Sequence, residues 1–132
     1  MIGIDTNVLV RYLVQDDKTQ AKKATLFIEK YCTDESPCFI GQIVLAELAW
    51  VLEGSYNLSR DEIAHVIEQL LQTGQLEISD REAVWRSLHD YRQSNADFPD
   101  HLLARVNESQ DCDFTITFDK KASNQSGFTL LK

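Results

Sequence analysis

The chain has 132 residues, 43% of them hydrophobic, and 21 acidic against 13 basic residues give it a formal net charge of −8. That length suggests one domain spanning residues 1–132, with apolar content sufficient for a core that needs no disulfide staples. The charge excludes sequence-independent coating of nucleic acid, which requires a broad basic footprint. It leaves room for a local basic rim, a basic partner peptide or bound cations. Cys32, Cys38 and Cys112 make an odd count without a CxxC pair, which fits a reducing compartment better than secretion. The opening MIGID carries no basic leader, and no apolar run approaches membrane-spanning length. A soluble cytoplasmic protein with no membrane association is therefore expected.

Residues 2–4 form a short apolar run that can be a strand, and Val8, Leu9, Tyr12 and Leu13 then recur at helical spacing over 7–14. A second helix is expected over 18–31, with Ala21, Ala24, Leu26, Phe27 and Ile28 facing inward. DESP at 34–37 is a turn, CFIG at 38–41 a brief strand, and 42–53 a strong helix. Ser59 and Glu62 form a capping box that starts a helix running to about Gln72. LEIS at 76–79 is a third strand, and Asp80 can cap a helix running to about Arg92. Pro99 suits the first turn of a helix over 99–107. FTITF at 114–118 is β-branched and aromatic throughout, the clearest strand, and FTLL at 128–131 is a candidate for the last. Short strands alternating with helices indicate an α/β fold with a small, mainly parallel sheet well covered by helices. No repeat, linker or low-complexity tract interrupts it.

The chemistry lies in the acids. Asp5 and Asp119 each follow a strand directly, and in open parallel sheets ligands sit beyond the carboxyl ends of strands. Two such acids meet if their strands are neighbours; each is otherwise an ordinary helix cap. Glu47 shares a helical face with Ile43, Val44, Leu48, Val51 and Leu52, which predicts a buried carboxylate. A carboxylate in that position needs a metal ion or an arginine such as Arg11 or Arg105. Asp100 falls in a first helical turn, where the helix dipole alone also favours an acid, with Asp97 just outside. Together the four acids, Asp5, Glu47, Asp100 and Asp119, suit Mg²⁺ or Mn²⁺, which prefer oxygen ligands. An ion held in this way activates water and stabilises charge on a phosphate during in-line displacement. His65, His89 and His101 lack metal-ligand spacing, no glycine-rich phosphate loop exists, and Trp50 and Trp85 are expected in the core.

The blocks IDTNVLVRYL, IVLAELAWVL, ADFPDHLLA and TITFDKK, in that order, resemble the PIN-domain family, and within it the VapC-type toxins of toxin–antitoxin pairs. The resemblance covers residues 2 to about 121. It implies a three-layer PIN-like fold and a Mg²⁺-dependent endoribonuclease, with Mn²⁺ as a substitute ion. Asp5, Glu47, Asp100 and Asp119 are then both the catalytic residues and the metal ligands, with Asp97 as an accessory acid. Thr6, Asn7 and Thr117 match small polar positions of the same pattern. The resemblance further implies an RNA substrate, a small antitoxin partner and a homodimer. Arg11, Lys120 and Lys121 are candidates for RNA contact. The chain departs from the family pattern after the third acid, where His101 and Arg105 replace small residues. Two rival readings are a non-catalytic PIN-like scaffold that binds RNA or protein, and a receiver-like phospho-acceptor domain. The receiver reading needs a strand-ending lysine, and none stands out.

Overall fold

A computed structural model describes residues 1–132. In chain order the elements are α1 (Thr6–Val14), α2 (Lys18–Tyr31), β1 (Cys38–Ile40), α3 (Gln42–Gly54), α4 (Arg60–Leu71), β2 (Leu76–Ile78), α5 (Arg81–Arg92), α6 (Phe98–Ser109), β3 (Thr115–Thr117), α7 (Lys120–Ser123) and β4 (Phe128–Leu130). The strands are three residues long and all pair in parallel, as an α/β alternation requires. They are divided between two sheets. β1 pairs with β2, Cys38 opposite Leu76 and Ile40 opposite Ile78, while β3 pairs with β4, Thr115 opposite Phe128. The apolar run at 2–4 adds a single parallel bridge, Gly3 to Phe39, at the outer edge of β1. Gly127 enters β4 at a φ of 92°, a region open to glycine at little cost.

Five of the seven helices, all but α3 and α6, start at a side-chain cap. The Ser59 hydroxyl accepts from the Glu62 amide at 3.2 Å and Glu62 accepts from the Ser59 amide at 3.0 Å, the reciprocal pair read from the sequence. Those bonds hold the Glu62 carboxyl below its ordinary pKa. Asp17 and Asp80 cap α2 and α5 through their side chains. One buried apolar cluster draws on α1 to α6 and on β1 and β2, with Leu9, Leu48, Leu52, Ile67, Val84, Leu88 and Phe98 at its centre. Its last fully buried member is Leu102, with Val106 packed against it from the next turn of α6. Within the helical body α5 packs on α6 and on α4, and α3 lies against α1, α4 and α6.

Several expected inward positions face outward instead. Leu26 and Phe27 on α2 are exposed, because the buried stripe of that helix is Ala21, Ala24 and Ile28. Trp50 is 56% exposed and Trp85 36%, so neither is the core residue expected. Phe114, Ile116 and Phe118 are also exposed, although FTITF has the strongest strand composition in the chain. Cys32, at the end of α2, and Cys38, at the start of β1, form a disulfide across a short turn, their Cα atoms 5.1 Å apart, and Cys112 is a free, exposed thiol. No helix is long and apolar enough to cross a membrane.

Candidate active site

Asp5 ends the apolar N-terminal run and is the N-cap of α1, with its Oδ1 accepting from the Thr6 amide at 2.7 Å. Asp119, two residues beyond β3, caps α7, its Oδ1 accepting from the amides of Lys121 at 2.9 Å and Ala122 at 3.2 Å. Both acids therefore serve as helix caps. In both, one oxygen carries the cap bonds and the other takes no hydrogen bond from the protein. Thr117 orients the second of them: its Oγ1 accepts from the Asp119 amide at 3.0 Å.

Glu47 is exposed, which corrects the expectation of a buried carboxylate. The buried stripe of α3 is Leu45, Leu48, Ala49 and Leu52, and Ile43 on the expected face is 77% exposed. Neither arginine partner is present. Arg11 pairs with Asp16 at 3.0 Å, and Arg105 pairs with Asp90 at 2.7 Å. Glu47 instead accepts a hydrogen bond from the Thr6 hydroxyl at 2.9 Å. Thr6 is only 8% exposed, so it ties the residue beside Asp5 to Glu47 across α1 and α3. Asp5, Thr6, Asn7, Arg11 and Glu47 line one cleft of about 430 Å³.

Asp100 lines an apolar cleft of about 320 Å³ with Ile43, Trp50, Pro99 and Leu103. Its pKa is raised, first by burial and then by the negative charges of Asp97 and Asp119, with Lys121 opposing. Asp97 is the N-cap residue of α6 by its backbone only: its carbonyl accepts from the amides of Asp100 and His101, and its carboxylate makes no cap bond. Asp5 and Glu47 share a cleft through Thr6, and Asp97, Asp100 and Asp119 share an electrostatic field. No three histidine, cysteine, aspartate or glutamate side chains stand close enough together to hold an ion. The donor set is nonetheless all carboxylate oxygen, the type that hard divalent cations take, and the charge crowding at Asp100 is what a cation relieves.

The two departures in α6 have structural roles. His101 is 2% exposed and its Nε2 lies 2.6 Å from the Ser94 hydroxyl, with burial lowering its pKa. Arg105 makes a two-bond fork with Asp90, at 2.7 and 3.1 Å, and also reaches Glu108. Both therefore brace α6 against α5 and the turn before it. Of the expected RNA-contacting cations, Arg11 is engaged by Asp16 and Gln20, whereas Lys120 and Lys121 are exposed beside Asp119. The sequence reading did not single out Arg60, whose guanidinium bonds three backbone carbonyls ahead of α6. An arginine in a polar first turn carries no signal of that kind.

A family model described as PIN domain matches residues 2–127, nearly the full chain. A comparison with curated proteins finds no match.

Proposed function

Because the chain belongs to the PIN-domain family, whose members are typically nucleases and generally bind divalent metal ions, we propose that it is a Mg²⁺-dependent endoribonuclease and the toxin of a toxin–antitoxin pair. In this reading Asp5, Glu47, Asp100 and Asp119 are the catalytic and metal-holding residues, with Asp97 accessory. The observation that supports it most is the Thr6 bridge, which holds Glu47 and the N-terminal turn of α1 in one cleft while Asp5 keeps an oxygen free. A bound Mg²⁺ or Mn²⁺ ion supplies charge stabilisation on the phosphodiester and a water of lowered pKa. The protein groups do the placing. The Thr6 hydroxyl orients Glu47, the backbone amides of α7 fix Asp119, and Lys120 and Lys121 offer charge to an RNA backbone without opposing the whole net charge of −8. The chain acts as one domain, in the cytoplasm, and as a homodimer.

Incubating total RNA with the purified protein tests the activity. Cleavage is expected with Mg²⁺, and its loss is expected both with EDTA and in the Glu47→Gln variant, which keeps the shape of the side chain. Cleavage that survives EDTA would overturn the metal dependence. Binding of RNA without any cutting would favour the scaffold reading.

The partner expected is a small protein that offers a lysine or arginine to the acids, forming a charge-assisted hydrogen bond where the ion would sit. Co-expression with the protein encoded beside this chain should relieve growth arrest and suppress cleavage. Unchanged arrest and unchanged cleavage would remove the toxin assignment and leave the nuclease reading standing.

A further inference from the structure

Five residues, 93–97, connect the end of α5 to the start of α6, and they deliver Asp97 and Asp100. Arg60, the first residue of α4, bonds two carbonyls of this connector and one from the last turn of α5. Its Nη2, which carries two hydrogens, lies 2.8 Å from the Tyr91 carbonyl and 2.9 Å from each of those of Ser94 and Ala96, so that one hydrogen is shared between two acceptors. The guanidinium carbon sits 4.0 Å from the centre of the Tyr91 ring, which is itself packed edge-on against Phe98 and His101. Inside the connector the Ser94 hydroxyl accepts from the Ala96 amide at 3.3 Å and contacts His101 Nε2 at 2.6 Å. Ala96 and Phe98 are each 1% exposed.

We propose that Arg60 is a positioning residue for Asp97 and Asp100, setting the point at which α6 begins. The inference rests on the nuclease reading of those acids. Asp97 does not fix that point through its side chain, which makes no cap bond. Three convergent carbonyls repel one another unless a donor with positive charge sits among them, and the planar guanidinium does so while stacking on Tyr91. Without it the connector can re-pair, and the first turn of α6 can start one residue early or late. Asp100, which lies in that turn, would then lose its fixed place beside Asp97 and Asp119. Displacements of about 1 Å in a reacting assembly cost on the order of a hundredfold in rate.

The test uses the full chain with Arg60→Met, which removes charge and donors, and Arg60→Lys, which keeps a charge and donors but loses the planar fork. Arg92→Met, which breaks an exposed ion pair with Glu68 at the end of α5, serves as control. Amide hydrogen exchange of the metal-free proteins is read at residues 96–101, and kcat and KM are read on RNA at saturating Mg²⁺. In Arg60→Met the exchange of 96–101 should rise at least about tenfold while the amides of α3 are unchanged. Its kcat should fall at least about tenfold with KM within about twofold. Arg60→Lys should fall between Arg60→Met and wild type on both readouts, and Arg92→Met should match wild type. If Arg60→Met does not fold, Arg60→Lys carries both measurements. Unchanged exchange at 96–101 in the folded variants overturns the proposal, as does a kcat loss no larger than the unfolded fraction explains. If wild type cuts no RNA, the nuclease reading fails, and the exchange measurement still decides whether Arg60 sets the start of α6.

Discussion

Asp100→Asn is expected to lower kcat for RNA cleavage by at least about a hundredfold while leaving the metal-free protein as stable as wild type or more so. The rate estimate has a floor: partners that touch only a ligand cost about 10–100-fold when removed, so a ligand itself should cost no less. The stability half follows from the environment. Burial, and then the charges of Asp97 and Asp119, raise the pKa of Asp100 in the fold. A carboxyl whose folded pKa is raised opposes folding once it ionises. That penalty is absent below the unfolded pKa, where both states hold the proton, and fully present above the folded pKa. Asparagine keeps the shape and removes the charge. The stability gain of Asp100→Asn over wild type should therefore grow as pH rises from acid to neutral, and vanish when the comparison is made in acid. Urea denaturation of both proteins in EDTA across that range measures it. The group is partly solvated, so the gain is modest. Full cleavage by a folded Asp100→Asn protein would move the role to Asp97, the neighbouring carboxylate free of any cap bond.

The same residues show which parts of the molecule could be read from sequence. α2 begins at Lys18 and ends at Tyr31, as the apolar spacing predicts, and the Ser59–Glu62 box is present because cap chemistry is local and needs nothing from the rest of the fold. Glu47 was misplaced because α3 is apolar on nearly every side. When apolar residues fill both candidate stripes, a period of 3.6 no longer selects a face, and tertiary packing chooses 45, 48, 49 and 52. The strand at 115–117 was legible as backbone but not as burial, since β-branched residues fit a pleated surface whether or not anything covers it. Whether Asp5 and Asp119 meet depended on strand order, which residue spacing does not encode. Residues 2–4 bridge to β1, whereas the strand before Asp119 pairs with β4, so no ladder joins the two acids directly. α7 is four residues long, too short to show a period in the sequence. The Cys32–Cys38 pair and the carbonyls gathered by Arg60 are products of the loops that bring them together, and neither has a local pattern.

Excess Mg²⁺ should raise the melting temperature of wild type, and Asp5→Asn should blunt that rise while melting near wild type in EDTA. An ion that binds only the folded state stabilises it by about 2.7 kcal/mol at a hundredfold excess over its dissociation constant. For a chain of this size that corresponds to a shift on the order of 10 °C. Asp5 has two separable duties. Its Oδ1 caps α1 through the Thr6 amide, and its charge is available to a cation. Asparagine caps a helix about as well as aspartate, so Asp5→Asn keeps the first duty and removes the second. Asp5→Ala removes both, and its lost cap should cost about 1 kcal/mol in EDTA and in Mg²⁺ alike. Six thermal melts then separate the duties: wild type and each variant, in EDTA and in excess Mg²⁺. If Asp5 is only a cap, Asp5→Asn behaves as wild type throughout and Asp5→Ala is lowered by the same amount under both conditions. If Asp5 also binds the ion, both variants lose most of the Mg²⁺ shift and only Asp5→Ala is weakened without it. A full Mg²⁺ shift in Asp5→Asn would take the first carboxylate of the chain out of the metal site and leave Glu47 as the sole acid contributed by its cleft.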